Sequence, residues 1–331
     1  MNKPAGLTKP FIIAAVVLLL FLLPVIMSGQ YILYVLIWLG ISIALTSSLR
    51  VISLSGLLSI GHGGLMLIGA YTSALLVMKL GLSSWFALIL AGVAAGGFAC
   101  LIGFPFVRIK GMYFSMVTMF LTEVILMVSE QWKSLTGGSV GIMNIPRPDP
   151  INIAGIIDIG FKSYTDLYYL MLILVIVSLI ILYLIEHSRI GRSWQAISRD
   201  DLLAESVGIN VAAYKVLGFA IGSFFAGLFG AFYSQFYNVI TPTEFGFFFS
   251  IYILVYLIVG GQRSFVGPVI GCLLLVLIPE LIGGLGGYRP FVFVAILMAV
   301  LYTLPDGMAS LPARLKHTAL GQRLAKRFTH A

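Results

Sequence analysis

Two ionisable side chains lie inside long apolar runs of this chain, Glu123 within MYFSMVTMFLTEVILMVSE and His62 within SGLLSIGHGGLMLIGAY. If the first run is a helix from residue 111, the Glu123 carboxyl lies roughly 18 Å from its start at ~1.5 Å per residue, near the midplane of a bilayer. A carboxylate at that depth faces a bundle interior. There it can hold an ammonium group, relay protons, or accept hydrogen bonds from Thr118, Thr122 or another helix. His62 stands in a glycine-rich break, Gly61-His62-Gly63-Gly64, where its ring can bond to freed backbone carbonyls or touch a solute. A third group of residues is of another kind. Between two apolar stretches runs EHSRIGRSWQAISRDDLLAESVGIN, whose Arg189, Arg192, Arg199, Asp200, Asp201 and Glu205 cannot sit in hydrocarbon and must form a structure outside it.

No enzyme constellation accompanies these groups. None of the nine lysines completes G-x-x-x-x-G-K-[ST], so the chain has no phosphate-cradling loop of that type and is read as a non-enzyme. His62, His187, His317 and His330 are far apart and form no H-x-x-x-H, and there is no C-x-x-C, so no metal or other cofactor is expected. Cys100 and Cys272 both fall in apolar runs and read as packing residues. Gly222-Ser223 lacks the G-x-S-x-G spacing of a hydrolase elbow.

The elements that must position these residues are membrane spans. Of 331 residues 60% are hydrophobic and only 10% charged, and the mean hydropathy is +1.06; this excludes a soluble domain and predicts an all-α polytopic membrane protein. Ten helices are expected near 11–28, 31–49, 59–78, 85–107, 111–130, 165–186, 212–237, 248–261, 265–282 and 290–305. No A-x-A-like site follows residues 11–28, which are read as a retained first helix rather than a signal peptide. With a cytoplasmic N-terminus, fifteen of the twenty Lys and Arg residues fall inside; only Lys79, Lys133, Arg147, Lys162 and Arg289 fall outside. Both termini are then cytoplasmic, and the net charge of +8 reflects topology and membrane lipid rather than nucleic acid.

Residues 1–312 form the expected transmembrane domain, with a polar loop at 187–210 and an external loop at 131–164, followed by a basic cytoplasmic tail at 313–331. The external loop carries Thr136-Gly137-Gly138 and Pro146, Pro148 and Pro150, too turn-rich for a span; it either docks a soluble partner or is a solvated connector. Glycine-rich interruptions at 55–71 and 259–271, the second with Gly260 and Gly261, either line a translocation route or let helices pack closely. In the polar loop, Asp200 and Asp201 suit the first turn of a short helix and Gly208-Ile209-Asn210 its stop. Its Leu202, Leu203 and Val207 form an apolar face that fits either a partner's groove or the lipid surface.

From about residue 45 to residue 312 the chain resembles the LivM-type permease subunits of branched-chain amino acid ABC transporters. The matching stretches include SGLLSIGHGGLMLIGAYTSALL, Lys110 to Thr118 leading to Glu123, Leu135 to Gly141, Gly191-Arg192, Asp200-Asp201, Ala204, Gly208-Ile209-Asn210, Thr241-Pro242, Gly260-Gly261, Gly267-Pro268 and Pro305-Asp306-Gly307. The resemblance implies a bacterial-type inner-membrane importer subunit paired with a second, LivH-like permease subunit. Two cytoplasmic ATPases, which bind the ATP, and an external substrate-binding protein would complete it. It further implies coupling to the ATPases through a helix at 199–209, with Arg199, Asp200, Asp201, Ala204, Glu205 and Gly208. Gly61, His62, Gly63, Gly64, Tyr113, Glu123, Gly260 and Gly261 become candidates for the translocation path. Ser193-Trp194-Gln195 and His62-Gly63-Gly64 depart from the usual pattern. The expected cargo is branched-chain or related amino acids. The alternatives are a urea or short-chain amide permease of the same architecture, a proton-coupled secondary transporter using Glu123 and His62, and a purely structural subunit.

Overall fold

The computed structural model describes residues 19–24, 29–109, 111–153, 157–281, 289–304 and 307–310. Four apolar helices come first: α1 (Gln30–Leu54), α2 (His62–Leu80), α3 (Ser84–Phe106) and α4 (Met112–Gln131). Helix α5 (Tyr164–His187) follows, and two polar helices, α6 (Arg189–Arg199) and α7 (Asp201–Ser206), separate it from α8 (Val211–Tyr237). Helix α9 (Phe247–Gly260) is entered through a 3-10 turn at Pro242–Phe245. Helix α10 (Gly267–Cys272) widens into a π turn at Leu273–Leu277 and continues through Ile278–Leu281, and α11 (Arg289–Thr303) closes the bundle.

Among the described residues seven stretches are long and apolar enough to cross a membrane: α1 to α5, α8, and Pro242–Gly260. Gly267–Glu280 and Phe291–Val300 are shorter apolar helices. Nine of the ten expected ranges therefore coincide with helices, although two of these fall short of a full span. The range 11–28 lies largely outside the described residues, of which 19–24 are helical, and the tail at 313–331 lies wholly outside them.

Helix α8 is the axis of the fold, packed against α1, α2 and α3. Its small residues decide this, because apolar helices in lipid gain little from hydrophobic contrast and associate where backbones can approach. A Cβ on Gly230 would overlap the Met66 carbonyl of α2, and one on Gly227 would meet the Ala91 carbonyl and Ala95 of α3. Gly222 is closed in the same way by Ile52 and the Ser48 carbonyl of α1.

The segment between α4 and α5 is ordered by short pairings. β1 (Ile142–Met143) pairs antiparallel with β4 (Val239–Ile240), placing Ile142 opposite Ile240, and β2 (Ile151–Ile153) pairs with β3 (Ile157–Ile159). Asp149 accepts from Ser84 N at the start of α3 (2.7 Å), and Asn238 and Ile145 exchange backbone and side-chain bonds. Ser163 and Asp166 form the capping box that starts α5.

Candidate functional site

The polar loop is built from consecutive helix caps. Ser188 caps α6 by accepting from Ile190 N, Asp200 caps α7 by accepting from Leu202 N and Leu203 N (2.9 and 3.2 Å), and Asn210 caps α8 by accepting from Ala213 N. The sequence reading of one helix over 199–209 is thus corrected. Arg199 closes α6, and Asp200 is extended at φ −160°, its carboxylate taken up by the first amides of α7. Asp201 lies in the first turn as expected, and Gly208 terminates the helix at φ +85°, a left-handed value that favours glycine.

Both short helices are fastened to α8. Trp194 of α6 is fully buried and donates its Nε1–H to the Tyr214 carbonyl (2.7 Å). Asp201 of α7 meets the buried Lys215 ammonium at 2.7 Å. Ala204 is buried, whereas Arg199, Asp200, Glu205 and Gly208 are exposed. On the outer face Leu202, Leu203 and Val207 are 72%, 66% and 71% exposed.

One buried ion pair was missed in the sequence. Arg50, counted there only as a cytoplasmic basic residue, is buried inside the bundle end and grips Glu186 through two 2.7 Å hydrogen bonds. Its Nε donates to the Gln262 carbonyl (2.9 Å), and the guanidinium lies over the Phe265 ring at 5.7 Å. This one side chain joins α1, the end of α5 where α6 begins, and the 261–266 connection between α9 and α10. A charged pair straddling two apolar runs was the available signal.

The two helix breaks face protein. In the first, α4 supplies the partners: Ser115 donates to the Leu58 carbonyl, Thr118 accepts from Ile60 N (3.0 Å), and Thr122 donates to the Ile60 carbonyl (3.4 Å). Of the donors the sequence offered to Glu123, Thr118 and Thr122 turn their hydroxyls to this break, and the other alternative, a donor from another helix, is the one found. Gly63 N donates to Ser250 Oγ of α9 (2.9 Å), and a Cβ there would overlap the Phe245 carbonyl. Gly61, Gly63, Gly64, Gly260 and Gly261 are all buried within the chain, the last two against Gly267 and Gly307. His62 is fully buried, with Nε2 2.8 Å from Ser48 Oγ. The same Ser48 hydroxyl is 2.8 Å from the Leu45 carbonyl, and His62 Nδ1 has no hydrogen-bond partner among the described residues. Tyr113 is 69% exposed on α4. Glu123 is half-buried and accepts from Phe247 N (3.0 Å), which makes it the cap of α9 across the bundle. No group of three or more His, Cys, Asp or Glu residues suited to a metal occurs among the described residues.

A bundle of apolar helices broken at membrane depth, with an amphipathic polar pair hung from one end, defines a multi-pass membrane permease subunit. The chain belongs to the family described as the permease component of branched-chain amino acid transport systems, which it matches over residues 31–305. It is 28% identical over 292 residues to the high-affinity branched-chain amino acid transport system permease protein LivM of Escherichia coli, covering 83% of this chain and 67% of that one. To the LivH permease protein of the same organism it is 27% identical over 274 residues, 78% of this chain and 87% of that one. The guanosine ABC transporter permease protein NupQ of Bacillus subtilis is 27% identical over 196 residues, 55% of this chain and 59% of that one. No solved structure matches the chain.

Proposed function

We propose that this chain is one of two different permease subunits of an ATP-driven importer that carries branched-chain amino acids inward. ATP is bound and hydrolysed by two separate cytoplasmic ATPases, and an external binding protein delivers the solute. The subunit sits in the inner membrane with both termini cytoplasmic, the orientation that puts fifteen of twenty basic residues inside. Residues 1–312 serve as the transmembrane domain and 313–331 as its cytoplasmic tail.

The observation that carries this reading is α7. Leu202, Leu203 and Val207 stand exposed while the opposite side is held to α8 by the Asp201–Lys215 pair. Three large apolar side chains on a rigid polar mount suit insertion into the groove of a soluble partner. Arg199, Asp200, Asp201, Ala204, Glu205 and Gly208 form the mount and rim of that contact. ATP binding closes the ATPase pair and displaces α7, and α8 carries the displacement into the bundle.

The test is uptake of labelled leucine in cells with and without this chain, with urea, guanosine and other amino acids as competitors and ATP depletion as a second axis. ATP-dependent leucine uptake is expected to vanish on deletion; uptake that survives ATP depletion sinks the proposal. Gly208→Arg or Glu205→Ala is expected to leave membrane insertion intact while uncoupling hydrolysis from uptake, and normal transport in both removes the coupling assignment.

A further inference from the structure

Two open cavities, of ≈ 670 and ≈ 690 Å³, share Trp38 and Tyr252 in their walls. Each lies in the roughly 300–1,000 Å³ range of small-molecule sites. The first is ringed by tyrosines of α1, α8 and α9, among them Tyr34, Tyr237 and Tyr256, with Glu280 in its lining. The second reaches Glu123 and Glu244 beside the N-terminus of α9.

These rings are held in place rather than loosely displayed. Tyr237 Oη donates to Tyr34 Oη (2.9 Å), Tyr233 Oη donates to Glu244 Oε2 (2.8 Å), and Trp38 meets the Tyr233 ring edge-on at 6.2 Å. Tyr237 ends α8, twenty-six residues from its start beside α7, or ~39 Å at 1.5 Å per residue. The first cavity therefore opens at the end of the bundle remote from the coupling helices. The second adjoins it at Trp38 and Tyr252 and reaches Glu123, which stands about midway along α4.

Glu123 and Glu244 each accept a hydrogen bond, from Phe247 N and Tyr233 Oη, but a carboxylate facing hydrocarbon is still costly, so a polar solute is a better occupant of this face than a lipid tail. The lining of neither cavity contains a Lys or Arg among the described residues. Aromatic faces and carboxylates share one preference, for a cation carried on a small organic body. Successive shallow ring contacts also suit passage, since a solute must leave each site as readily as it enters.

We infer that the two cavities form one route, running from the remote end past Trp38 and Tyr252 to Glu123, and that it recognises the ammonium end of an amino-group-bearing solute. The inference rests on the permease reading above and moves the path away from Gly61–Gly64 and Gly260–Gly261, which are packed inside the chain. Tyr252 and Trp38 are the rings every solute on the route must pass.

The test compares leucine uptake by the complete transport system carrying wild-type chain, no chain, Trp38→Phe, Tyr252→Phe, Trp38→Leu or Tyr252→Leu. Loss of a ring is expected to lower the maximal uptake rate about tenfold, whereas the Phe variants stay within about threefold. Uptake that persists without the chain defeats the permease reading. Uptake that needs the chain but ignores both Leu substitutions defeats the route alone.

A second readout covers variants that fail to accumulate. Val35, in the wall of the first cavity, is changed to Cys in a Cys100→Ser background. Membrane vesicles are then treated with an ethylammonium or an ethylsulfonate thiosulfonate reagent. Faster labelling by the cationic reagent, slowed by leucine, is expected; equal rates for the two reagents, or no protection by leucine, overturn the proposal.

Discussion

The Arg50–Glu186 pair gives the sharpest prediction because its two ends respond differently. The side chains are 3% and 11% exposed and make two 2.7 Å contacts. Removing one member of a buried pair strands the other's charge and typically costs about 3–5 kcal/mol, while replacing both with apolar groups of similar volume is often near neutral. Glu186→Gln is expected at the lower end of that range, since a Gln oxygen still accepts from the guanidinium. Arg50→Met is expected at the upper end, because it also strips the Gln262 carbonyl of its Nε–H partner and uncovers Phe265. The double variant Arg50→Met/Glu186→Leu should cost less than the Arg50→Met single, about 1–3 kcal/mol, since no charge is stranded and only the Gln262 carbonyl loses its donor. The assay is unfolding of the purified transport complex, followed by hydrolysis and uptake on the same preparations. On the proposed function, the complex carrying the double variant should remain folded and its ATPases should still hydrolyse ATP yet drive little uptake, because the join between α5, α1 and the 261–266 connection is gone. Additive losses, or full uptake in the double variant, would refute the reasoning.

Substitutions at three further positions probe separate joints of the fold. Gly230→Val places a branched side chain against the Met66 backbone carbonyl, which cannot give way like a side-chain tip, so α2 and α8 must part; a loss of about 3 kcal/mol or more is expected, read as falling membrane levels. Glu123→Leu removes the cap of α9 and should cost about 0.5–2 kcal/mol in thermal unfolding, whereas Glu123→Gln keeps an acceptor for Phe247 N and should unfold like wild type. If uptake by Glu123→Gln is also unchanged across pH, no charged function remains at that position. Trp194→Phe retains the buried ring volume but loses the bond to the Tyr214 carbonyl, with an expected cost of about 1 kcal/mol and a larger relative loss of ATP-driven uptake than of stability.

What the sequence made legible was local. Apolar runs placed the spans, and Asp200-Asp201 with Gly208 outlined the short polar helix from neighbouring residues alone, although Asn210, read as part of that helix's stop, caps the next helix instead. What stayed hidden was set by partners far along the chain. Helix α2 starts at His62 rather than near 59 because hydroxyls of Ser115, Thr118 and Thr122, more than fifty positions away, take up the backbone around Leu58 and Ile60. The same holds for Arg50 and Glu186, which lie 136 positions apart. Glycine is ambiguous for a physical reason: a missing side chain serves a close crossing and a water-lined bend equally well, and only the atom across from it decides. At Gly63 and Gly230 that atom is a backbone carbonyl of the same chain, which makes them crossings. Aromatic residues carry the opposite ambiguity, since Tyr34, Trp38, Tyr237 and Tyr252 scatter over three helices as ordinary apolar positions. Only the fold brings them to one cavity, from which Trp38 and Tyr252 lead on to the one lined by Glu123.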